Sequence, residues 1–297
     1  MGAVTERLAR TPVGMVTVEE RSGVRSGGRG ATRLTKRGKP PSGRSIAFLT
    51  VTGVLGIALS AVGLSSALWP WYAPIQPFLG MRVEAHRWHG AEFAALLAVL
   101  LGGPLLALLW RPARRPLLAQ YLIVSSALIA VLFEVFVGPW ALALAIPVAA
   151  LAALYPDRTA LLDVRMGERW SRPLAVLSVV AAALLIQPTY LALSYQILYP
   201  YSEHATHFHW VAAAALAMSL ALGGFLAATR RAGWRVLAAL VGVAYTYLGL
   251  AAITVPTHAG SWGVIGGVLA AAIGALYVVF ALAPRRRLAW YADSVDD

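Results

Sequence analysis

The feature that most constrains this chain is a series of apolar segments, each close to twenty residues long. The hydrocarbon core of a bilayer is about 30 Å thick, and an α-helix needs about 20 residues to cross it. By that measure the sequence predicts eight membrane-spanning helices, at 45–68, 91–110, 117–137, 139–154, 173–198, 207–228, 235–255 and 260–282. The predicted fold class is therefore all-α, a polytopic membrane helix bundle with eight transmembrane helices.

The fourth segment, 139–154, is the least clear of the predicted membrane-spanning helices. It is short, and only Gly138 and Pro139 separate it from the third. Seven helices with one irregular segment is therefore the alternative. Composition supports a membrane protein in either case, because 59% hydrophobic residues, 13% charged residues and a mean hydropathy of +0.68 are far from those of a soluble domain of this length. The lipid bilayer is the expected partner.

Arginine predicts the orientation of the helices. Alternate connections between the apolar segments are rich in arginine, which favours the cytoplasmic side. These arginines are Arg111, Arg114 and Arg115; Arg158, Arg165, Arg169 and Arg172; Arg230, Arg231 and Arg235; and Arg285, Arg286 and Arg287. An eight-helix count keeps all of them on one side. The sequence thus predicts a multi-pass protein of the cell (plasma) membrane with both termini in the cytoplasm. No nucleic acid is expected as a partner, although the net charge is +12.

The two ends of the chain differ from its apolar middle. Residues 1–44 contain ten Arg or Lys and little apolar periodicity, so we expect a disordered basic cytoplasmic tail, with Met1 or Met15 as the start. The transmembrane helical domain is predicted at 45–283, and a cytoplasmic C-terminal tail at 284–297.

All six histidines fall at the outer ends of the predicted helices. They are His86 and His89 at the second helix, His204, His207 and His209 at the sixth, and His258 before the eighth. Carboxylates accompany them at Glu84, Glu92 and Glu203, with Glu134 about one turn before the outer end of the third helix. In a helix His89 and Glu92 share a face, whereas His207 and His209 point apart.

This clustering predicts a ligand site. The chain has no cysteine, so a metal or cofactor must be held by nitrogen, oxygen or Met. Neutral imidazole is a good ligand for haem iron, copper or zinc. The predicted cofactor-binding residues are His86, His89, His207, His209 and His258, with His207 or His209 facing His258, and the predicted metal ligands are His204, His207 and Glu134. The expected cofactor is haem b or Cu/Zn, in a redox or metal-handling protein.

Two other classes of function stay open. In a solute or proton-coupled transporter, Glu134 and a helix break at Gln187-Pro188 would line a solute path. In a non-enzymatic membrane subunit, the histidines would be interfacial side chains, hydrogen-bonded to backbone or to nearby carboxylates.

The predicted architecture resembles that of heme A synthase, a membrane enzyme that modifies haem. Glu84-Ala85-His86-Arg87 is similar to that family's carboxylate and His-Arg motif at the second helix, but one residue shorter. The resemblance implies His207 and His258 as a haem pair, whereas the fourth segment carries no histidine. It also implies two four-helix halves. A Gly-Gly pair sixteen residues after both His86 and His207 fits that duplication, and chance similarity of Ala- and Leu-rich helices is the other explanation.

Overall fold

In a computed structural model, residues 42–72, 83–138, 145–163 and 170–283 are described, and every regular element within those ranges is a helix. We number the helices α1 to α10 and treat the continuous helix Val83–Leu108 as α2. They are α1 Gly43–Ser65, α2 Val83–Leu108, α3 Pro116–Phe136, α4 Ala145–Leu154, α5 Arg158–Leu162, α6 Arg172–Leu198, α7 Glu203–Thr206, α8 His209–Ala228, α9 Trp234–Thr254 and α10 Gly263–Leu282. The predicted tails lie almost wholly outside the described residues.

Seven of the described helices are long and apolar enough to cross a membrane: α1, α2, α3, α6, α8, α9 and α10. The prediction of an all-α membrane protein is therefore confirmed. Six of these helices begin and end within three residues of the predicted bounds. The exception is α2, which begins at Val83 rather than 91. The predicted span was limited to apolar residues, so it left out the charged, histidine-containing turn with which this helix begins.

The predicted span 139–154 is described only from residue 145. Its helix, α4, has ten residues, about half of what a bilayer crossing needs. Residues 139–144 lie outside the described part of the chain. The described helices thus support seven spanning-length segments and leave the eighth as a prediction.

Local chemistry sets where several helices begin. The Ser42 hydroxyl accepts a hydrogen bond from the Ser45 N–H at 3.3 Å, which satisfies a free donor at the start of α1. Both α3 and α6 have a proline in their first turn, where no intrahelical N–H bond is lost. Helix α6 continues through Pro188 to Leu198, so the helix break expected for a transporter is not seen there.

The arginine-rich connections meet at one end of the bundle, which we call the arginine end. The Leu117 N–H donates to Ala232 O at 3.3 Å, and the Ser171 N–H donates to Ala228 O at 2.9 Å. The Arg235 guanidinium donates to the carbonyls of Ala281, at 3.2 Å, and Ala283, at 2.8 Å, at the end of α10. The bonds to Ala228, Ala281 and Ala283 satisfy carbonyls at helix ends, and the bond from Leu117 satisfies an N–H in the first turn of α3.

Tyr155, the residue after α4, also lies at the arginine end. Its hydroxyl donates to Pro112 O at 2.7 Å, and its own carbonyl accepts a hydrogen bond from Arg44, at the start of α1. Burial, followed by the charge of Asp157, raises the pKa of Tyr155 to about 12, so the hydroxyl stays a donor at neutral pH. The end of α4 is therefore fixed beside the starts of α1 and α3.

The opposite end of the bundle, which we call the histidine end, contains all six histidines. The Ser66 hydroxyl donates to Gly90 O at 2.9 Å, which ties the end of α1 to α2. The rings of Trp88 and Trp262 are 5.4 Å apart, and those of Phe133 and Phe208 are 6.2 Å apart. Helices α2, α3, α8 and the loop before α10 thus converge here.

Helices α9 and α10 pack closely at two glycine pairs. A Cβ atom at Gly249 would lie 2.5 Å from Gly267 O, and one at Gly274 would lie 2.5 Å from Gly242 O. The pairs are seven residues apart on each helix, so they repeat after two turns on the same face. Small residues that let backbones approach are a typical basis for helix association in membranes.

Candidate functional site

The start of α2 places two histidines and a glutamate inside the bundle. His86, His89 and Glu92 are 0%, 1% and 4% exposed. His89 Nδ1 and Glu92 Oε2 are 2.6 Å apart, the contact expected of residues three apart on a helix. Glu92 was not among the predicted site residues. Its spacing of three residues from His89, which places both side chains on one helix face, could have identified it.

A left-handed residue directs His209 toward α2. Ser202 caps the short helix α7, and the chain then passes through Phe208, whose φ is +61°. This conformation is uncommon for a residue other than glycine. It separates α7 from α8, so that Phe208 packs against Phe133 while His209, 2% exposed, begins α8 inside the bundle.

Four imidazole rings meet at this place, and we call them the four-histidine cluster: His86, His89, His204 and His209. The shortest separations between ring centroids are 4.6 Å for His86–His204 and for His89–His209, with 4.7 Å for His86–His209 and 4.9 Å for His89–His204. The remaining two pairs are 5.9 and 6.2 Å apart. The two longer separations are opposite one another, so the ring centres lie at the corners of a tetrahedron that is flattened toward a square.

The cluster contains ring nitrogens that lack protein partners. The Nε2 atoms of His89 and His204 and both ring nitrogens of His209 are buried without a hydrogen-bond partner among the described residues. Burial, and then the neighbouring His89 and His86, lower the pKa of His204 to about 4. At neutral pH its imidazole is therefore uncharged and has a lone pair available to a ligand.

His207 and His258 lie at the edge of the cluster. The His207 ring is 6.2 Å from that of His86 and 6.0 Å from that of His209, and its Nδ1–H donates to Glu203 O at 2.7 Å. His258 Nε2 lies 3.2 Å from Glu84 O. Among the described residues the ring contacts of His207 and His209 are with His86, His89, His204, Phe93 and each other, so the expected pairing of either with His258 stays a prediction.

Glu134 lies apart from these contacts. Its Oε2 atom is buried without a hydrogen-bond partner in the described part of the chain, near the end of α3. Arg87 donates to the Glu84 carboxylate at 3.1 Å and to Trp69 O at 3.2 Å. The predicted grouping of Glu134 with His204 and His207 therefore has no described contact to support it.

A cavity of about 460 Å³ adjoins the cluster on the other side of Glu92. Its walls come from α6 around Pro188, from α8, α9 and α10, and from the loop at Gly260–Trp262. Gly260 has φ +80°, and a Cβ there would lie 3.3–3.4 Å from Trp88 and His89, so this loop covers the buried start of α2 closely. Gln187 and Pro188, where sequence reasoning placed a possible solute path, line this cavity. The other walls were not predicted, because they depend on how distant helices pack.

In the described residues, as they are arranged in this structure, no group of three or more His, Asp or Glu side chains has the geometry to hold a metal ion. Comparisons with protein-family models, with curated proteins and with solved structures found no match to this chain. The resemblance to heme A synthase therefore stays a hypothesis based on architecture, and the function has to be argued from the site itself.

Proposed function

We propose that this integral membrane protein binds one transition-metal ion, copper or zinc, through the four-histidine cluster at its extracytoplasmic face. The observation that carries the proposal is the flattened tetrahedral grouping of four imidazole rings, with several buried ring nitrogens that have no hydrogen-bond partner among the described residues. Neutral imidazole is a preferred ligand of both metals. The protein would serve electron transfer or metal handling.

The ring spacing supports a single four-coordinate ion. With metal–nitrogen bonds of about 2.0–2.1 Å, the ring centres of a tetrahedral four-imidazole complex lie about 5 Å apart. The observed separations run from 4.6 to 6.2 Å. The stacked rings of His89 and His209, inclined by only 3°, must rotate before both can point at one ion. Such rotation is about the outer side-chain torsion, which is broad for histidine.

The contact between His89 and Glu92 supports the same site. Metal-binding histidines usually donate their second ring N–H to a carboxylate or carbonyl, which fixes the tautomer and orients the ring. His89 Nδ1 lies 2.6 Å from Glu92 Oε2, while its Nε2 has no partner in the described residues. Glu92 would also supply negative charge beside an ion held by four neutral ligands.

Haem fits this cluster less well. In a bis-histidine haem the two imidazoles lie on opposite faces of a flat porphyrin. In the four-histidine cluster each ring has other histidine rings 4.6–6.2 Å away, so a porphyrin between any two would overlap a third. We therefore favour a metal ion over haem b among the predicted cofactors.

We further propose that the chain crosses the membrane eight times, with the histidine end outside and both termini in the cytoplasm. Phe133, near the end of α3, contacts Phe208 at the histidine end, whereas Tyr155 contacts Pro112 at the arginine end. The chain between them must therefore pass from one end to the other. Arginine-rich connections favour the cytoplasm, and a plasma membrane location follows the same reasoning.

Metal analysis tests the site. The full chain, purified in mild detergent through a tag without histidine, is expected to hold about one Cu or Zn per chain by plasma mass spectrometry. His89→Ala and His209→Ala should each lose most of it. His258→Ala is the matched control and should retain it, because that ring lies against Glu84 O at the edge. Wild-type protein that binds neither metal after incubation with each would refute the proposal.

Cysteine labelling tests the topology, and the absence of native cysteine makes the background clean. Thr206→Cys at the histidine end and Thr159→Cys at the arginine end are both exposed positions. A membrane-impermeant maleimide applied to intact cells should label Thr206→Cys, and should label Thr159→Cys only after permeabilisation. Labelling of both from outside would contradict eight crossings.

A further inference from the structure

We propose that the 460 Å³ cavity beside Glu92 is a binding site for a neutral, membrane-soluble amphiphile with a hydroxylated aromatic head, of the phenol or quinol class. This inference rests on the cavity and its polar groups, and it does not require the metal.

The size and walls of the cavity suit such a molecule. Small-molecule sites commonly measure about 300–1,000 Å³ and are mostly apolar with a few polar groups. Here α6 and α10 supply aliphatic side chains such as Leu185 and Ile273, while Tyr195, Trp210 and Trp262 supply aromatic surface. Aromatic side chains favour offset or edge contacts with an aromatic ring. The volume suits a ring with a short tail and excludes a whole two-chain phospholipid.

Two buried polar groups give the ligand head a position. Glu92 lines the cavity, and its bond to His89 engages Oε2, while a carboxylate has further acceptor sites. Tyr245 also lines the cavity and is 2% exposed, and its hydroxyl has no hydrogen-bond partner among the described residues. A buried hydroxyl without a partner is costly, so a ligand oxygen at this place would remove that cost.

The charges of the cavity lining favour a ligand with a neutral head group. The described residues that line the cavity include Glu92 and no Arg or Lys. An anionic head, such as that of a fatty acid, would be buried in this cavity without a counter-ion, which is strongly unfavourable. A hydroxyl can instead donate to Glu92 and accept from Tyr245.

The cavity is placed for entry from the lipid. Leu184 and Leu191 on α6 and Ile265 and Leu269 on α10 line it and are also 39–79% exposed at the bundle surface. These exposed apolar residues face the predicted hydrocarbon core. The ligand would therefore enter sideways between α6 and α10, with its head toward the bundle centre.

Three probes with one tail test the head chemistry: 4-octylphenol, octylbenzene and 4-octylbenzoate. Binding to the full-length protein in detergent, treated with a chelator to remove metal, is followed by native mass spectrometry. We expect saturable binding of one 4-octylphenol per chain. Each of the other probes should bind at least about threefold more weakly, which is the smallest loss of affinity expected when one hydrogen bond is lost. Equal affinity for all three would overturn the proposal.

Variants locate the site. Tyr245→Phe should weaken 4-octylphenol binding about threefold to tenfold without changing that of octylbenzene. Ala213→Phe, which adds a ring to the cavity wall, should remove binding of both, whereas Ala183→Phe on the exposed face of α6 should remove neither. Unchanged binding in Ala213→Phe would refute the site. Because the measurement uses metal-free protein, failure of the metal proposal would leave this result unaffected.

Discussion

Replacing Gly249 by alanine tests how closely α9 and α10 pack. The added Cβ would lie 2.5 Å from Gly267 O and 2.6 Å from Ala271 N, and both atoms are backbone atoms that cannot rotate away. Since ordinary contacts begin at 3.4 Å, the helices must separate locally by about 0.9 Å, the difference between 3.4 and 2.5 Å. Overpacking of this kind typically costs about 1–3 kcal/mol.

Helix propensity acts in the opposite direction. Alanine favours the helix over glycine by up to about 1 kcal/mol, so the expected net loss of stability for Gly249→Ala is up to about 2 kcal/mol. Gly53→Ala is the matched control on α1, because its Cβ would meet only a Leu109 methyl at 3.7 Å. It should be neutral or slightly stabilising.

The assay is thermal unfolding of the two variants and the wild type in the same detergent. Gly249→Ala should unfold at a clearly lower temperature than the wild type, and Gly53→Ala should not. If the two variants shift the midpoint equally, the close approach at Gly249 does not contribute to stability and the reasoning from the Cβ distances is wrong.

Three further predictions concern the site and its supporting contacts. Glu92→Gln should lower metal affinity about 10–100-fold while His89 remains, because the carboxylate orients that ligand, and competition with a chromophoric chelator measures this. Metal-free protein should lose stability as the pH falls from about 6.5 toward 4, because the unfolded chain then binds a proton at His204 that the folded chain excludes. Thermal unfolding at pH 7.5 and at pH 5 measures this loss. The difference between the two midpoints should be smaller in His204→Gln than in the wild type. Ser219→Ala should destabilise the protein by about 0.5–1.5 kcal/mol in the same unfolding assay, because it removes the 2.7 Å hydrogen bond to Ser125 between α8 and α3. If the double variant with Ser125→Ala loses no further stability, the pairing is confirmed.

Hydropathy predicted most of the fold because lipid imposes one dominant requirement on length and polarity. It failed at the start of α2, where His86 and His89 are buried by neighbouring helices rather than left at the interface. Burial there is compensated by side-chain contacts, such as that between His89 and Glu92, which no window average detects.

The candidate site was predictable in part. The shared end of the six histidines followed from arginine-based orientation, and the structure places all six at one end of the bundle. Their grouping was not predictable, because it depends on the left-handed backbone at Phe208 and on the crossing of α2 with α8. His258 and Glu134 were predicted as ligands, and the described contacts place His258 at the edge of the cluster.

The order of the four proposed ligands along the chain has a consequence for biosynthesis. His89 and His204 are separated by 115 positions, so about 6–23 s of translation pass between them at 5–20 residues per second. During that time the emerging protein has only His86 and His89, a pair too small to complete a tetrahedral centre. Acquisition of the ion would thus be a late event of membrane insertion, after α8 has joined the earlier helices.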